Sequence, residues 1–474
     1  MGIYAKLIFT LFFIGMVMAG NDAKGAESRP NILVIVGDDM GYADVGFQGV
    51  KDYSTPNLDK LAADGIRFTN GYVSGPYCSP TRAGLLTGRY QNRFGHEYNP
   101  GGATAGLPLT ESTLADRLRA TGYKTGLIGK WHLGNKPEMH PQKRGFDEFF
   151  GFLGGAHSYF DKGGILRGNE NVKDLDYTTD AFGREAVDFI DRHSKEPWLL
   201  CLTFNAVHTP MHPRADLLEK VAHIQNKQRR EYAAMMIAMD EAIGRVRQKL
   251  AETGQQQNTM VAFISDNGGP TMPGVTVNGS INTPLRGSKR TTLEGGIRVP
   301  FLISWPAKIK PGVYEKAVIQ LDINATALAA AGVKPLPEWK IEGVNLLPFV
   351  SGENSGVPHE SLFWRFGDQM AIRSGDWKLV RYDSNIETGT GRTNQPATAP
   401  KLYNLASDIH EDKDLASSQP DKLKELQALW DKWNESNIKP LWGKDFGNDA
   451  SKKAEPGKAA AKKKQQNRKK AAND

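Results

Sequence analysis

The sequence predicts an α/β protein, with a large, mostly parallel sheet flanked by helices and a smaller C-terminal domain built from an antiparallel sheet plus a helix. Three observations lead to this fold class. Apolar runs typical of buried strands alternate with helical patterns up to about residue 345, which favours a parallel sheet. Charged residues recur directly after several of these runs. Beyond Leu346 the pattern changes to shorter alternating strands, and 474 residues are enough for one large and one smaller domain.

The chain begins with a predicted export signal. The basic start Met1–Lys6 is followed by an apolar run over Leu7–Met18, and Val17–Ala19 before Gly20 fits a cleavage site. The run is too short to span a bilayer comfortably, so we expect a signal peptide over residues 1–26 and export to the periplasm or the medium. No later stretch of the sequence has the length and hydropathy of a membrane helix.

Strand and helix patterns alternate through residues 27–345, the larger predicted domain. The predicted strands are Asn31–Val36, Ile66–Val73, Lys124–Ile128, Leu199–Phe204, Met260–Ser265 and Pro300–Trp305. The predicted helices are Pro56–Ala63, a short helix opening near Cys78, Thr113–Ala120, Thr178–His193, Gln228–Leu250 and Leu321–Ala331. Parallel strands need such crossovers, so we expect the carboxyl ends of these strands to share one edge of the sheet.

Residues 346–442 are the smaller predicted domain. Ser361–Phe366 and Gln369–Tyr382 have the pattern of antiparallel strands, and the second segment folds back at a Ser-Gly-Asp turn. Lys401–Leu405 adds a further strand, and Lys422–Trp433 has the spacing of an amphipathic helix.

The basic charge of the chain lies in its tail, residues 443–474. The formal net charge of the chain is +7. The segment from Lys452 to Asp474 holds nine Lys and Arg and two acidic residues, so its own net charge is also +7. The rest of the chain is formally neutral and gives no support for a nucleic-acid-binding domain. The tail is rich in Lys, Ala and Gln and is predicted to be disordered. It is either simply solvated or in contact with an anionic polymer or envelope surface.

Only two cysteines occur, Cys78 and Cys201. Cys201 lies within the continuous apolar run of a predicted buried strand, so we interpret it as a packing residue. An exported protein with so few cysteines is not held together by disulfides, which leaves Cys78 free for chemistry.

Cys78 belongs to the most informative stretch, Tyr77–Gly88. The pattern predicts a short helix in which Cys78 or Ser79 caps the N-terminus and Pro80 occupies the first turn. Arg82 follows one turn later, close enough to face the group that Cys78 presents. A nucleophile at a helix N-terminus gains from the positive end of the helix dipole and from free N–H groups. Taken alone, a cysteine beside a proline turn is also compatible with a buried structural role.

The motif Cys-x-Pro-x-Arg, followed by x-x-Leu-Leu-Thr-Gly, resembles the signature of the formylglycine-dependent type I sulfatases, arylsulfatase-like members of the alkaline phosphatase superfamily. The match includes Cys78, Pro80, Arg82 and Leu85–Gly88, while Thr81 stands where many members carry serine. In that family a separate formylglycine-generating enzyme oxidises the cysteine, and the hydrated aldehyde is the nucleophile. The resemblance extends over about residues 29–440, including the C-terminal domain. It implies hydrolysis of sulfate monoesters.

Two pairs of polar residues follow predicted strands. Asp38 and Asp39 come after the first strand, and Asp266 and Asn267 come directly after a later one. Each pair alone is compatible with capping a loop, but together they offer oxygen ligands of the kind that calcium and magnesium prefer. The resemblance implies that these four residues and the oxidised Cys78 bind a divalent cation, usually calcium. The sequence leaves magnesium open.

Four further residues match the family's catalytic set. Lys130 and His132 belong to a Gly-Lys-Trp-His-Leu-Gly segment whose lysine and histidine contact the sulfate and the nucleophile in the family. The resemblance likewise places His208 beside the leaving oxygen and Lys289 on the sulfate. Arg290 stands where a small residue is common. Without the resemblance, the lysine–histidine pair has the pattern of exposed loop residues and His208 that of a turn residue before a proline.

The resemblance also implies a mechanism. A cation and the basic side chains just named hold the negative charge of the sulfate ester. One hydroxyl of the hydrated formylglycine attacks sulfur in line, Asp266 or Asp39 accepts its proton, and Arg82 steadies the oxygen. His208 or Lys289 protonates the departing alcohol, and the second hydroxyl then expels sulfate.

The implied substrate is a sulfated polysaccharide or its oligosaccharides, because exported sulfatases of this type mostly resemble enzymes that act on sulfated sugars. The resemblance places His157 and Ser158 where family members line the substrate pocket. Further candidates, each equally compatible with a structural role, are Arg167, His212, Trp364 and Arg365. Two other functions stay open: hydrolysis of phosphate or phosphonate esters, which the same superfamily handles, and glycan binding without catalysis if Cys78 is not converted. A thiol hydrolase is disfavoured because the oxygen-rich metal set has no role in it.

Overall fold

The computed structural model describes residues 29–101, 105–273, 276–388 and 396–443. The predicted signal peptide, 1–26, and the predicted basic tail beyond its first residue, Gly443, lie outside these ranges. Within them, no helix has the length and apolar character needed to cross a membrane.

The described ranges contain the following strands and helices. The strands are β1 (Asn31–Gly37), β2 (Ile66–Phe68), β3 (Gly71–Tyr72), β4 (Lys124–Lys130), β5 (Glu148–Phe152), β6 (Leu166–Arg167), β7 (Glu170–Asn171), β8 (Trp198–Thr203), β9 (Thr259–Ser265), β10 (Phe301–Ser304), β11 (Gly312–Tyr314), β12 (Val318–Ile319), β13 (Ser361–Phe366), β14 (Gln369–Ser374), β15 (Trp377–Arg381) and β16 (Lys401–Asn404). The helices are α1 (Pro56–Ala63), α2 (Cys78–Thr87), α3 (Leu114–Arg119), α4 (Thr178–Arg192), α5 (Ala215–Lys220), α6 (Lys227–Glu252), α7 (Glu294–Ile297), α8 (Leu321–Ala330), α9 (Leu347–Val350), α10 (Asn385–Thr388) and α11 (Pro420–Asn434). Short 3₁₀ helices lie at Gly46–Gln48, Gln91–Phe94, Pro137–Met139, Pro141–Lys143, Gln256–Asn258 and Pro337–Trp339.

One large sheet contains strands in the order β11-β2-β10-β9-β1-β8-β4-β5-β6-β7. In its centre β9, β1, β8, β4 and β5 all run parallel. Towards the two sides, β10 runs antiparallel to β9, and β6 runs antiparallel to β5. The predicted fold class is confirmed, since the sheet is parallel in its centre and mixed towards its edges.

Strand β1 shows why the large sheet has helices on both faces. Leu33 and Ile35 pack on one face with α4 and α6, whereas Ile32 and Val34 pack on the other with α2, α3 and α8. All four side chains are at most 1% exposed. Successive side chains of a strand point to opposite faces, so an uninterrupted apolar run buries both. Cys201 on β8 is buried in the same apolar layer as Val34, which confirms its packing role.

Most predicted elements lie within a few residues of the observed ones, but two regions differ. The predicted extended segment Ile66–Val73 is divided, because β2 joins the large sheet while β3 pairs with β12 in a separate two-stranded sheet. Strand β5 has no counterpart among the predicted strands, yet it is the fifth parallel strand of the sheet centre. Its Glu-Phe-Phe-Gly-Phe run is short and interrupted by glycine, so its apolar pattern is a weak strand signal.

The C-terminal region is an antiparallel sheet in the order β13-β14-β15-β16, with α11 on one face. Ile372 and Leu379 pack against Leu426 of α11. The opposite face carries Trp364 and Val380, which share a hydrophobic cluster with residues of the larger sheet region. The predicted sheet-plus-helix unit is confirmed, and it packs directly on the body of the protein.

A buried ion cluster also joins the C-terminal sheet to the segment that carries Lys289. Lys378 Nζ on β15 lies 2.9 Å from Glu294 Oε1 and 2.9 Å from Glu411 Oε1. Burial alone would raise the pKa of Glu294, but Lys378 brings it below its usual value. Burial raises the pKa of Glu411, against the attraction of the same ammonium group. The cluster anchors α7, which begins five residues after Lys289, to the C-terminal sheet.

Candidate active site

The polar residues predicted at strand ends meet at one edge of the large sheet. Asp38 and Asp39 follow β1, Lys130 ends β4, His208 follows β8 and Asp266 follows β9. Because β9, β1, β8 and β4 are neighbouring parallel strands, their carboxyl ends lie side by side. This edge is therefore the place where residues far apart in the chain can act together.

Helix α2 brings Cys78 to this edge. The helix begins at Cys78, and its N-cap position is taken by Tyr77, which has an extended backbone and no capping side chain. The prediction that Cys78 or Ser79 caps this helix is wrong. Ser79 Oγ instead donates to the backbone oxygen of His132 at 2.7 Å and lies 2.6 Å from His96 Nε2. The first turn of α2 is thereby tied to the loop that carries His132.

Cys78 lies between the two carboxylates that follow β1. Its Sγ is 3.8 Å from Asp38 Oδ1 and 4.0 Å from Asp39 Oδ1, and the residue is 1% exposed. Burial raises the pKa of the thiol to about 12, although Lys130 and Lys289 oppose this shift. The thiol is therefore protonated at neutral pH and is a poor nucleophile, which argues against a thiol hydrolase.

The Asp38 carboxylate lies between two basic side chains. Lys130 Nζ is 2.5 Å from Asp38 Oδ2, and Arg82 Nη2 is 3.7 Å from the same oxygen. Arg82 also donates to Asp266 Oδ2, from Nε at 3.0 Å and from Nη2 at 2.9 Å. Burial alone would raise the pKa of Asp38, but Lys130, with help from His208 and Arg82, brings it below its usual value. The carboxylate is therefore ionised at neutral pH.

The Asp39 carboxylate has a second set of partners, and its backbone adopts the left-handed conformation, with a φ of 62°. Lys289 Nζ lies 2.7 Å from Asp39 Oδ2, and His208 Nε2 lies 3.6 Å from that oxygen. Asn267 Nδ2 donates to Asp39 Oδ1 at 2.8 Å. Burial alone would raise the pKa of Asp39, but Lys289 brings it below its usual value. In turn Asp39 holds the pKa of Lys289 well above its usual range, although burial opposes this.

Several donor atoms at this edge lie close enough together to hold a cation. Four possible ligand atoms lie within 4.8 Å of one another, one each from Asp38, Asp39, Cys78 and His208. Asn267 adds a buried Oδ1 that accepts no hydrogen bond within the described residues. A buried carbonyl oxygen without a donor is costly, and coordination to a cation would satisfy it. Asp266 is close by as well, since its Oδ1 accepts the N–H of Asp39 at 3.2 Å.

His132 lies buried beside these charged groups, with a left-handed φ of 59°. Burial lowers its pKa well below the usual value, and the positive charges of Lys130 and Arg82 act in the same direction, so the imidazole is neutral. Gly155 lies against the ring, because a Cβ at that position would be only 2.5 Å from His132 Nε2. Sequence reasoning missed Gly155, since nothing in a Gly-Gly pair shows which histidine it will meet.

Asn278 is a second residue that sequence reasoning missed. Its Nδ2 donates to the backbone oxygen of Asp39 at 3.0 Å and to that of Val207 at 2.9 Å, and the residue is fully buried. One amide thus ties the loop after β1 to the loop that carries His208. Asn278 is 239 residues from Asp39 in the chain and belongs to no motif, so the sequence offers no signal for this role.

Two of the predicted substrate-binding residues lie together next to the His208 loop. Ser158 Oγ is 3.3 Å from His212 Nδ1. The hydroxyl of the next residue, Tyr159, donates to the backbone oxygen of His208 at 2.9 Å. His157 contacts its own loop, with ring nitrogens 2.6 Å from the Ser158 backbone oxygen and 2.8 Å from that of Gly163.

The other predicted substrate-binding residues have structural partners. Arg167 on β6 pairs with Glu185, and Arg365 Nη2 lies 2.7 Å from Glu97 Oε2. Trp364 is fully buried and donates from Nε1 to the Val73 backbone oxygen at 2.7 Å. In the part of the chain that the structure describes, none of these contacts joins the three residues to Cys78.

An anionic ester suits this edge of the sheet, because ammonium, guanidinium and imidazole groups surround a pair of carboxylates that can hold a cation. The fold and site are thus suited to a hydrolase of sulfate-type or phosphate-type esters. Comparison with known families decides between these. The family model "Sulfatase" matches residues 30–333, and the model "N-sulphoglucosamine sulphohydrolase, C-terminal" matches residues 287–428. The chain belongs to the sulfatase family and is a sulfuric ester hydrolase.

Individual relatives agree with this assignment. "Uncharacterized sulfatase YdeN" of Escherichia coli (strain K12) is 30% identical over 493 residues, which cover 88% of this chain and 87% of that protein. N-acetylgalactosamine-6-sulfatase of Homo sapiens is 36% identical over 357 residues, covering 69% of this chain and 67% of that protein. The crystal structure of Ps i-CgsB in complex with k-i-k-neocarrahexaose is similar with a TM-score of 0.81 at 35% identity, covering 91% of this chain and 98% of that one. The resemblance inferred from the Cys78 motif is confirmed.

Proposed function

We propose that this sulfatase is exported and hydrolyses sulfate monoesters on a sulfated polysaccharide or oligosaccharide, using formylglycine made from Cys78 and a divalent cation. The observation that carries the proposal is the position of Cys78 Sγ, 3.8 Å from Asp38 Oδ1 and 4.0 Å from Asp39 Oδ1 in a buried site. An atom attached to residue 78 is thereby adjacent to a cation site and to the side chains of Lys130 and Lys289. Nucleophile and anion-binding groups are brought to one place.

Two groups complete this chemistry. Formylglycine at residue 78 would supply, as its hydrate, an oxygen nucleophile together with a second hydroxyl that lets sulfate leave, whereas the thiol offers neither. A divalent cation, held by oxygens of Asp38, Asp39, Asp266 and Asn267, would neutralise charge on the sulfate oxygens. We favour calcium over magnesium, because three carboxylates and an amide oxygen on two separate loops suit its flexible coordination.

Lys130 and Lys289 bind the sulfate group in this proposal. Both residues are almost completely buried, so their charges act in a medium where electrostatic interactions are strong. Asp39 raises the pKa of Lys289, which therefore stays cationic throughout the reaction. The neutral His132 adds an N–H donor. Together these groups stabilise the negative charge of the sulfuryl oxygens in the transition state.

His208 is positioned to protonate the departing alcohol. Its Nδ1 lies 2.6 Å from the backbone oxygen of Thr209, so that nitrogen carries a proton and Nε2 faces Asp39 at 3.6 Å. Burial lowers the pKa of His208, but an anionic ester beside the ring favours the imidazolium. The Nε2 proton then passes to the alcohol oxygen as the S–O bond breaks. Asp39 or Asp266 accepts the proton of the attacking hydroxyl, and Arg82 holds Asp266 in place.

The substrate class is proposed from the relatives and from the rim of the site. One relative is named an N-acetylgalactosamine-6-sulfatase, and another was crystallised with k-i-k-neocarrahexaose. Both names point to sulfated sugars. Ser158 and His212 lie on the loops next to His208, so we assign substrate contacts to them. Both ring nitrogens of His157 lie against backbone oxygens of its own loop, so we assign it a role in holding that loop. Arg167 and Arg365 are engaged in ion pairs, and we assign them structural roles.

The proposal includes maturation and export. A formylglycine-generating enzyme would convert Cys78 within its Cys-x-Pro-x-Arg motif, and the predicted signal peptide would direct the protein to the periplasm or the medium. Contact of the basic tail with an anionic polymer remains part of the proposal, on charge alone.

The test is expression together with a formylglycine-generating enzyme, followed by intact-mass analysis and assays on 4-nitrophenyl sulfate, 4-nitrophenyl phosphate and neocarrahexaose. We expect conversion of Cys78, calcium-dependent sulfate release, and a higher kcat/KM for the sulfate than for the phosphate ester. Cys78→Ser should abolish turnover, because a serine lacks the second hydroxyl. Preference for the phosphate ester would contradict the proposed chemistry of sulfate release, and multiple turnover by Cys78→Ser would refute the mechanism.

A further inference from the structure

We infer that the exposed ring of Phe160 and the imidazole of His212 form a subsite for a neutral sugar ring adjacent to the sulfated sugar, on the leaving-group side of the reaction. The inference rests on the proposed function, because it specifies that the substrate is a glycan longer than the sulfated sugar itself.

Phe160 is an exposed aromatic side chain on a rigid base. It is 53% exposed, and among the strongly exposed large hydrophobic side chains of the described residues it is the one aromatic ring. Its ring centroid lies 5.0 Å from that of Tyr177, which in turn stacks on Tyr159 at 5.5 Å with an interplanar angle of 27°. Tyr177 and Tyr159 are both buried. A fixed aromatic face open to solvent is typical of a binding surface.

The base of this aromatic stack is attached to the catalytic loop. The Tyr159 hydroxyl lies 2.6 Å from the backbone oxygen of Asn205 and 2.9 Å from that of His208. The His208 ring in turn has a nitrogen within 4.8 Å of Cys78 Sγ. Since His208 is the group proposed to protonate the departing alcohol, the loop that carries Tyr159 and Phe160 borders the side where the sugar carrying that alcohol must sit.

His212 supplies the polar half of the subsite. Its ring lies edge-on to Tyr159 with centroids 6.5 Å apart, and its Nδ1 is 3.3 Å from Ser158 Oγ. Its Nε2 makes no hydrogen bond within the described ranges, and the residue is half-buried, so Nε2 is open to a ligand hydroxyl. A pyranose presents apolar C–H groups on its ring face and hydroxyls at its edge. An aromatic ring beside a single polar group complements both, as is usual in ligand sites.

The test compares a glycan with a small aryl ester. We expect Phe160→Ala to lower kcat/KM for neocarrahexaose by about threefold to tenfold, mainly through KM, and to leave kcat/KM for 4-nitrophenyl sulfate unchanged. Phe160→Trp should retain the activity on the hexasaccharide. The matched control is Val313→Ala on β11, where the side chain is equally exposed, at 52%, on the opposite edge of the sheet. The control variant should change kcat/KM for neither substrate.

Each outcome is decisive. A selective loss on the hexasaccharide supports the subsite, and an equal effect of Phe160→Ala on both substrates, or no effect on either, overturns it while leaving the sulfatase mechanism intact. Wild-type protein that cleaves the aryl sulfate but not the hexasaccharide refutes the glycan part of the proposed function and the subsite with it. Wild-type protein that cleaves no sulfate ester refutes the proposed function itself.

Discussion

The contact between Gly155 and His132 allows one proposed catalytic position to be tested quantitatively. A Cβ at position 155 would lie 2.5 Å from His132 Nε2, 2.7 Å from Cε1 and 3.1 Å from Cδ2. Non-bonded heavy atoms rest about 3.5–4.0 Å apart, so Gly155→Ala must push the ring away by about 1 Å. A displacement of that size in a catalytic group costs about 10²-fold in rate. We therefore expect kcat/KM to fall about 100-fold, equivalent to about 2.7 kcal/mol of transition-state stabilisation.

The neighbouring glycine is a matched control. A Cβ at Gly154 would have only the Ala156 backbone oxygen nearby, at 3.9 Å, so Gly154→Ala should retain wild-type activity. The assay is kcat/KM for 4-nitrophenyl sulfate, with the formylglycine content of each preparation measured by intact mass and folding checked by the thermal midpoint. Wild-type kcat/KM in Gly155→Ala, or an equal loss in both variants, would refute the reasoning that His132 must stand where the structure places it.

Three further predictions follow from other contacts. Asn278→Ala removes the amide that holds the backbone of Asp39, so calcium affinity measured by titration calorimetry should fall at least about tenfold. The control is Asn324→Ala, which removes hydrogen bonds to backbone oxygens of α2 and should lower only the thermal midpoint. Calcium at about 100 times its Kd should add about 2.7 kcal/mol to the free energy of unfolding, and a thermal midpoint that responds to neither calcium nor chelator would contradict the cation site. Burial lowers the pKa of His359, but Asp322, with Oδ1 2.8 Å from Nε2, raises it above the usual value overall. The stabilisation by the His359–Asp322 pair is therefore fully present below about pH 6.5 and is lost as pH rises through the higher folded-state pKa. His359→Gln should destabilise the protein at about pH 5.5 and have little effect at about pH 9. Equal destabilisation at both pH values would disprove this reasoning.

The amino-acid sequence by itself determined the architecture and the chemical class. Continuous apolar runs such as that of β1 bury both faces of a strand wherever they lie, and the 3.6-residue pattern of α6 does not depend on its neighbours. Polar residues directly after such runs predicted a shared edge, because parallel strands align their carboxyl ends. The local motif around Cys78 then identified the family. All of these signals are contained in short stretches of chain.

Only the tertiary structure decided which other side chains complete the site. Asn278 reaches Asp39 across 239 residues of sequence, Gly155 leaves room for one particular histidine, and Ser79 bonds the His132 loop instead of capping its own helix. Arg167 has an acidic partner that no spacing rule reveals. The physical reason is that hydrogen bonds, ion pairs and steric contacts need separations that are correct to within a few tenths of an ångström. Those separations between elements exist only once the whole sheet has assembled.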